Sequence, residues 1–206
     1  MPPQTCTIYI VRHGQTDWNI SKTIQGQLDI PLNSTGEREA YELKSVLNSI
    51  HFDAVFSSDL IRAKRTAEIL NMDRKLAIET TNALRERLFG IYQGKPMDSA
   101  HEKLYELLEK YKNHPHLAES QVESNEHMIS RALTFIREVS VAYGGKTVLL
   151  VSHGGLMRTL LIHLGFCNSS QFLPFGSIKN LAYIKLASDG SEILVQETSG
   201  ITILPV

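Results

Sequence analysis

The chain has 206 residues, 42% hydrophobic and 21% charged, with 21 Lys and Arg against 22 Asp and Glu for a formal net charge of −1. That length and balance suit one α/β domain over residues 1–206 with a substantial core, and the near-zero charge excludes a general attraction to nucleic acid or an anionic membrane, so any anion site must be built locally. Cys6 and Cys167 form no CxxC and argue against a disulfide framework or a zinc site, while Met1-Pro-Pro-Gln and the short first apolar run carry no signal-peptide or membrane-span pattern; the expectation is a cytoplasmic protein.

Residues Cys6 to Val11 contain no charge, Pro or Gly and read as a short strand buried on both faces. The run ends in Arg12-His13-Gly14, which places a cation and an imidazole at a strand's C-terminal end, the edge where open α/β sheets bind ligands. Gly14 removes side-chain bulk and is expected to let the backbone turn tightly. A neutral imidazole is a nucleophile, and a guanidinium beside it can grip two phosphoryl oxygens in a planar fork. The alternative is an ion-paired arginine beside a partly buried histidine. A Gly- and Pro-marked loop over Ile24–Leu32 follows. Ser34-Thr-Gly-Glu37 has the form of a capping box and opens a helix to about Ile50, with Ala40, Leu43, Val46, Leu47 and Ile50 at helical spacing.

Ala54–Ser58 reads as a second strand ending in small polar residues. Asp59 can cap the next helix, Leu60 to about Leu70, whose first turns carry Arg62, Lys64 and Arg65. Cations there oppose the helix dipole unless an anion offsets them. Arg65 can pair with Glu68 one turn on. Arg62 has no acidic partner along the helix, only Arg65 and Thr66 at i+3 and i+4, and is a candidate anion ligand. Leu76–Glu79 is expected as a third strand. If Arg85-Glu86-Arg87 is extended, Glu86 points opposite to the two arginines and can enter a cleft while they stay in solvent; a surface zwitterionic run is the alternative.

Helices are expected from roughly Asp98 to Tyr111 and from about Ser124 to Tyr143. The second carries Met128, Ile129, Ala132, Leu133, Ile136 and Val139 as a core-facing stripe. Between them, His114-Pro-His116 reads as an exposed loop in preference to a metal site. Lys146–Ser152 is the strongest buried strand and runs into His153-Gly154-Gly155, then a helix from Leu156 to about Leu164. This repeats the opening arrangement, and parallel strands would bring both histidines to one edge. Asn180–Leu186 and Glu192–Glu197 alternate as strands around an Asp189-Gly190 hairpin signal. Gly145-Lys146-Thr147 is no Walker A loop, because Ser140 stands where the first glycine belongs and the strand follows the motif. GxSxG and HExxH motifs are absent.

Taken together, Arg12-His-Gly-Gln-Thr16-Asp-Trp-Asn19, Gln25-Gly26 with Asp29-Ile-Pro-Leu32, Ser58-Asp-Leu-Ile-Arg62-Ala-Lys-Arg-Thr66, Leu84-Arg-Glu86 with Phe89-Gly90 and Gly94, Glu123-Ser124 and Ser152-His153-Gly154 resemble the histidine phosphatase superfamily, the phosphoglycerate mutase-like fold. The resemblance implies a three-layer α/β sandwich with a mainly parallel sheet flanked by helices. It implies that His13 becomes phosphohistidine, that Arg12, Arg62, His153 and Asn19 form the phosphate pocket, and that Glu86 gives the proton to the leaving oxygen. Gln25, Gly26 and Gly154 fall in the substrate-binding surround, and Lys95 is the candidate for a second anionic group. Donors fixed around the transferring phosphoryl group stabilise its charge with no metal or cofactor implied.

Mutases of this family hold a distal phosphate with an adjacent arginine pair. Between Glu86 and His153 there are only Arg87, Arg131 and Arg137, the last two on the expected long helix and read as structural. Hydrolysis of a small, sugar-phosphate-like metabolite is therefore expected, nearest to the broad-specificity and fructose-2,6-bisphosphatase-like branch. Mutase-type transfer is the alternative, and a non-catalytic phospho-ligand module the alternative of another class. No nucleic-acid or membrane partner is expected, and oligomeric state is not legible.

Overall fold

The apolar run at the start of the chain becomes the middle of a sheet because both its faces find cover. The computed structural model describes residues 4–97, 121–172 and 177–205. Within these, β1 (Cys6–Arg12), β2 (Ala54–Ser58), β3 (Ile78–Thr81), β4 (Thr147–Ser152), β5 (Ile178–Ser188) and β6 (Ile193–Ile201) form one sheet in the order β3-β2-β4-β1-β5-β6. β3, β2, β4 and β1 are parallel, while β5 and β6 add antiparallel. The helices are α1 (Asp17–Ile20), α2 (Ser34–Val46), α3 (Ile61–Asn71), α4 (Asn125–Ala142) and α5 (Gly154–His163). The expected α/β sandwich is the observed one.

Alternation along each strand splits the core in two. Ile8, Ile10, Val148 and Leu150 face α4 and α5, packing with Ile129, Leu133, Ile136 and Leu160. Tyr9, Val11, Leu149 and Val151 face the other way, onto Leu47, Ala63, Ala67 and Leu70 of the α2–α3 layer. The expected stripe of α4 is buried throughout, and each such aliphatic side chain contributes about 1.5–3 kcal/mol. Among the described residues no helix is long and apolar enough to cross a membrane.

Several boundaries differ from expectation for local reasons. Asn33, not Ser34, caps α2: its Oδ1 accepts the Gly36 N–H at 2.9 Å, and its Nδ2 ties to Gln15 and Asp17. The helix stops at Val46, short of Ile50. Asp59 does not cap α3. Its carboxylate is held by both Nε and Nη2 of Arg85 at 2.7 and 2.6 Å, and Asp29 accepts the Ile61 N–H instead at 2.8 Å. β3 starts at Ile78 because the Asn71 side chain bonds both Leu76 N and O, which keeps residues 75–76 in the turn. Gly14 does not serve a tight turn: a Cβ there would lie 2.5 Å from the Gly36 carbonyl oxygen, so its value is close approach to α2. The expected helix at Asp98–Tyr111, with His114 and His116, lies outside the described residues.

Candidate active site

β1 and β4 pair in register with Arg12 opposite Ser152, so the next residue of each strand is a histidine and the two emerge side by side. The His13 N–H donates to the Ser152 carbonyl at 3.0 Å, and the ring centroids of His13 and His153 stand 5.2 Å apart. Both rings are buried at the C-terminal edge of the sheet. The two imidazoles far apart in sequence thus share one locus.

Their hydrogen bonds sort their tautomers. His13 Nδ1 lies 2.7 Å from the Gly14 carbonyl. A carbonyl only accepts, so Nδ1 carries the proton and Nε2 keeps a lone pair. His153 Nε2 lies 2.8 Å from Ser58 Oγ, which itself accepts the Leu60 N–H at 3.3 Å. With that bond accepted, the Ser58 proton can go to Nε2, which leaves Nδ1 of His153 as an N–H donor. Burial, then Arg62 and Arg12, hold His13 well below the ordinary imidazole range. Burial, Arg62 and His13 do the same for His153. One ring presents a lone pair and the other a neutral donor.

The cations arrive from β1 and α3. Arg12 Nη1 donates to the Ile178 carbonyl, anchoring it to β5. Arg62 is fully buried; Nη1 and Nη2 hold the Leu28 and Gly26 carbonyls at 2.7 Å each, so this guanidinium also shapes the Gln25–Leu28 loop. Burial pushes Arg62 down to about 10, opposed by Glu86 and Asp29, so it stays charged at neutral pH. Thr66 accepts the Gly14 N–H at 3.1 Å and donates to Arg62 O at 2.8 Å, locking β1 to α3. Among the described residues, the buried side-chain polar atoms with no hydrogen-bond partner are Arg12 Nε, Arg62 Nε, His153 Nδ1 and Gln25 Oε1. All four belong to residues singled out from the sequence. Such an atom ordinarily costs about 1–3 kcal/mol, and three donors without acceptors round two histidines form a place built for an anion.

Glu86 reaches the site from the loop after Leu84. Its Oε1 accepts the Arg87 N–H at 2.8 Å and its Oε2 the Gly155 N–H at 2.9 Å, and its charge reaches Arg12 and Arg62. Its neighbours do not both stay in solvent as expected. Arg85 pairs with Asp59, whereas Arg87 is buried, donating to Glu123 O at 2.6 Å and Asn125 Oδ1 at 2.5 Å. Arg131 grips Glu123 with Nε and Nη2 at 2.7 and 2.8 Å and donates to Ala83 O and Glu86 O, a structural clamp on the Glu86 loop.

The remaining candidates divide. Gln25 is buried beside Gly26, whose carbonyl Arg62 holds. A Cβ on Gly154 would come within 3.1 Å of Arg12 Nε. Asn19 commits its Oδ1 to the backbone and hydroxyl of Thr16 and to Asn180 Nδ2, which also donates to His13 O at 3.0 Å; these bonds tie α1 to β5 beside His13 and use only its amide oxygen. Lys95 is exposed, its ammonium 5.5 Å from the centroid of the Tyr92 ring. No group of three or more His, Cys, Asp or Glu among the described residues is arranged to hold a metal ion. Sequence reasoning passed over Ser58, Arg87 and Gly155. Ser58 had a usable signal, a hydroxyl ending the strand next to that of His153; Arg87 is held by residues about 36–72 positions away.

A mainly parallel sheet whose edge gathers two buried imidazoles, one fully buried and one half-buried guanidinium and a carboxyl group has the groups to hold an anion. Residues 8–199 match the histidine phosphatase superfamily (branch 1), and the chain belongs to that superfamily. It is 37% identical over 203 residues to the broad-specificity phosphatase YOR283W of Saccharomyces cerevisiae, covering 92% of this chain and 83% of the relative. Among solved structures, phosphoglycerate mutase from Bacillus anthracis str. Sterne superposes with a TM-score of 0.81 at 30% identity, covering 97% and 94% of the two chains. Mycobacterial glucosyl-3-phosphoglycerate phosphatase, solved with VO3, superposes at 0.76 with 25% identity, covering 97% and 99%. The protein is a hydrolase of phosphoric monoesters.

Proposed function

We propose that hydrolysis proceeds through a phosphohistidine on His13 and that the substrate is a small metabolite carrying one phosphate. The observation that carries this reading is the set of partnerless buried donors, Arg12 Nε, Arg62 Nε and His153 Nδ1, beside a histidine with its lone pair on Nε2. In the first half-reaction, His13 Nε2 forms a bond to phosphorus as the ester P–O bond breaks. Glu86 delivers its proton to the leaving oxygen and ends as carboxylate. In the second, the carboxylate takes a proton from water, the water oxygen bonds to phosphorus and the N–P bond breaks. Phosphate leaves, with His13 neutral and Glu86 protonated again. Each carboxyl oxygen accepts one backbone N–H and keeps a second lone pair for that proton. The guanidiniums and the His153 N–H meet the equatorial oxygens, where charge gathers.

A single phosphate is favoured because the two arginines flanking Glu86 and Arg131 of α4 are otherwise engaged. Arg85 is taken by Asp59, Arg87 by Glu123 O and Asn125, and Arg131 by Glu123. The broad specificity named for the yeast relative and the sugar-containing ester named for the mycobacterial one point to small phosphorylated metabolites. Buried free Cys6 and Cys167 suit a reducing compartment such as the cytoplasm, and the net charge of −1 disfavours nucleic-acid and membrane partners. The test is a panel of phosphate esters ranked by kcat/KM, run with His13→Ala in parallel. The expected result is preference for small monophosphates over bisphosphates, abolished by the substitution. Preference for bisphosphates, or turnover surviving in His13→Ala, would overturn the reading.

A further inference from the structure

Helix α5 starts abruptly at Gly154, with His153 as its N-cap and no side-chain cap from that residue. First-turn N–H groups need partners from elsewhere, and the Gly155 N–H finds one in Glu86 Oε2 at 2.9 Å. A Cβ at position 155 would lie 2.3 Å from Glu86 Oε1, 3.0 Å from its carboxyl carbon and 3.1 Å from Oε2. Gly155 is not at positive φ, so its conformation does not demand glycine. Helix propensity argues against it, since alanine is favoured by up to about 1 kcal/mol. The three heavy atoms nearest a Cβ there all belong to one group, the Glu86 carboxyl.

We propose that Gly155 is a positioning residue for the proton donor: its N–H and its missing side chain form a seat that, with the Arg87 N–H, fixes the plane of the Glu86 carboxyl against α5. The inference rests on the reading of Glu86 as the acid. The displaced atoms are the far end of a flexible side chain, so Gly155→Ala moves the carboxyl and leaves the fold intact. General acid catalysis is worth roughly 10²–10⁴ in rate, and an acid pushed off its seat loses part of that, most where the leaving group is a poor one.

The experiment compares wild type, Gly155→Ala, Glu86→Gln and the double variant on aryl and alkyl phosphates spanning a range of leaving-group pKa, with Tm recorded for each. For Gly155→Ala the expected result is an unchanged or higher Tm. Its kcat should fall about tenfold further on alkyl than on aryl esters, giving a steeper dependence on leaving-group pKa. The double variant should show no further selective loss beyond Glu86→Gln. If Glu86→Gln is leaving-group selective and Gly155→Ala is not, the seat is refuted and the acid assignment stands. If Glu86→Gln lacks selectivity, the acid assignment falls and the seat with it. A lower Tm for Gly155→Ala would also refute the seat, because the clash would then have been absorbed by backbone.

Discussion

Replacing Arg62 by lysine separates the two tasks of one buried guanidinium. Arg62 is 0% exposed and holds two loop carbonyls, Gly26 O and Leu28 O, at 2.7 Å each, while its Nε is left for a ligand. Lysine keeps the charge but gathers its donors at one point, so it cannot span both carbonyls and also serve the anion. Leaving one buried carbonyl without a donor costs about 1–3 kcal/mol, which for a chain of this size lowers Tm by roughly 2–4 °C per kcal/mol. Losing one transition-state donor costs about 10²–10³ in kcat. Urea unfolding, aryl phosphate kinetics and the Tm gained with inorganic phosphate measure the three effects. The variant should fold, be less stable by that amount, turn over 10²–10³ more slowly and gain less from phosphate. A kcat within about threefold of wild type, under about 1 kcal/mol, would refute the role of Arg62 at the transferring group.

Ser58→Ala removes the donor to His153 Nε2, frees the ring to take the other tautomer and leaves a buried nitrogen unbonded. A loss of about 1–3 kcal/mol in stability and a fall in kcat are expected, and wild-type kcat would show that the tautomer is set elsewhere. Buried His13 and His153 stay neutral in the folded chain below the pH at which the unfolded chain protonates them. The unfolded state then binds more protons, so stability is full above about pH 6.5 and falls as the medium is acidified, by up to about 1.4 kcal/mol per pH unit for each ring. Unfolding free energies flat or rising from pH 7 to about pH 5.5 would contradict this. Chelator should leave turnover of an aryl phosphate unchanged; loss with EDTA, restored by Mg²⁺, would reject the route through His13.

The site was legible where chemistry sits at the end of an apolar run. Val11-Arg12-His13 and Val151-Ser152-His153 announce strand ends, and parallel register does the rest. Arg62 was marked by the lack of an acidic neighbour along its helix, and its partners turned out to be carbonyls about 34 and 36 residues away. What stayed hidden was competition between groups distant in sequence. Asp59 looks like the cap of α3 until Arg85 claims it and Asp29 fills the position. Arg87 reads as solvated because its partners, Glu123 O, Asn125 and Thr159, come from other elements. Gly14 looks like a turn residue and Gly155 carried no signal, yet both make room, one for the backbone of α2 and the other for a carboxyl group.

The central claim is that phosphorus is bonded transiently to Nε2 of His13. Rapid acid-free quenching of enzyme with radiolabelled phosphate ester, followed by peptide mass spectrometry, tests it most directly. The account predicts an acid-labile, base-stable label on His13 that is absent from His13→Ala and decays as phosphate is released. Label on His153, a serine or a carboxylate, or full turnover with no labelled enzyme at any time, would contradict it.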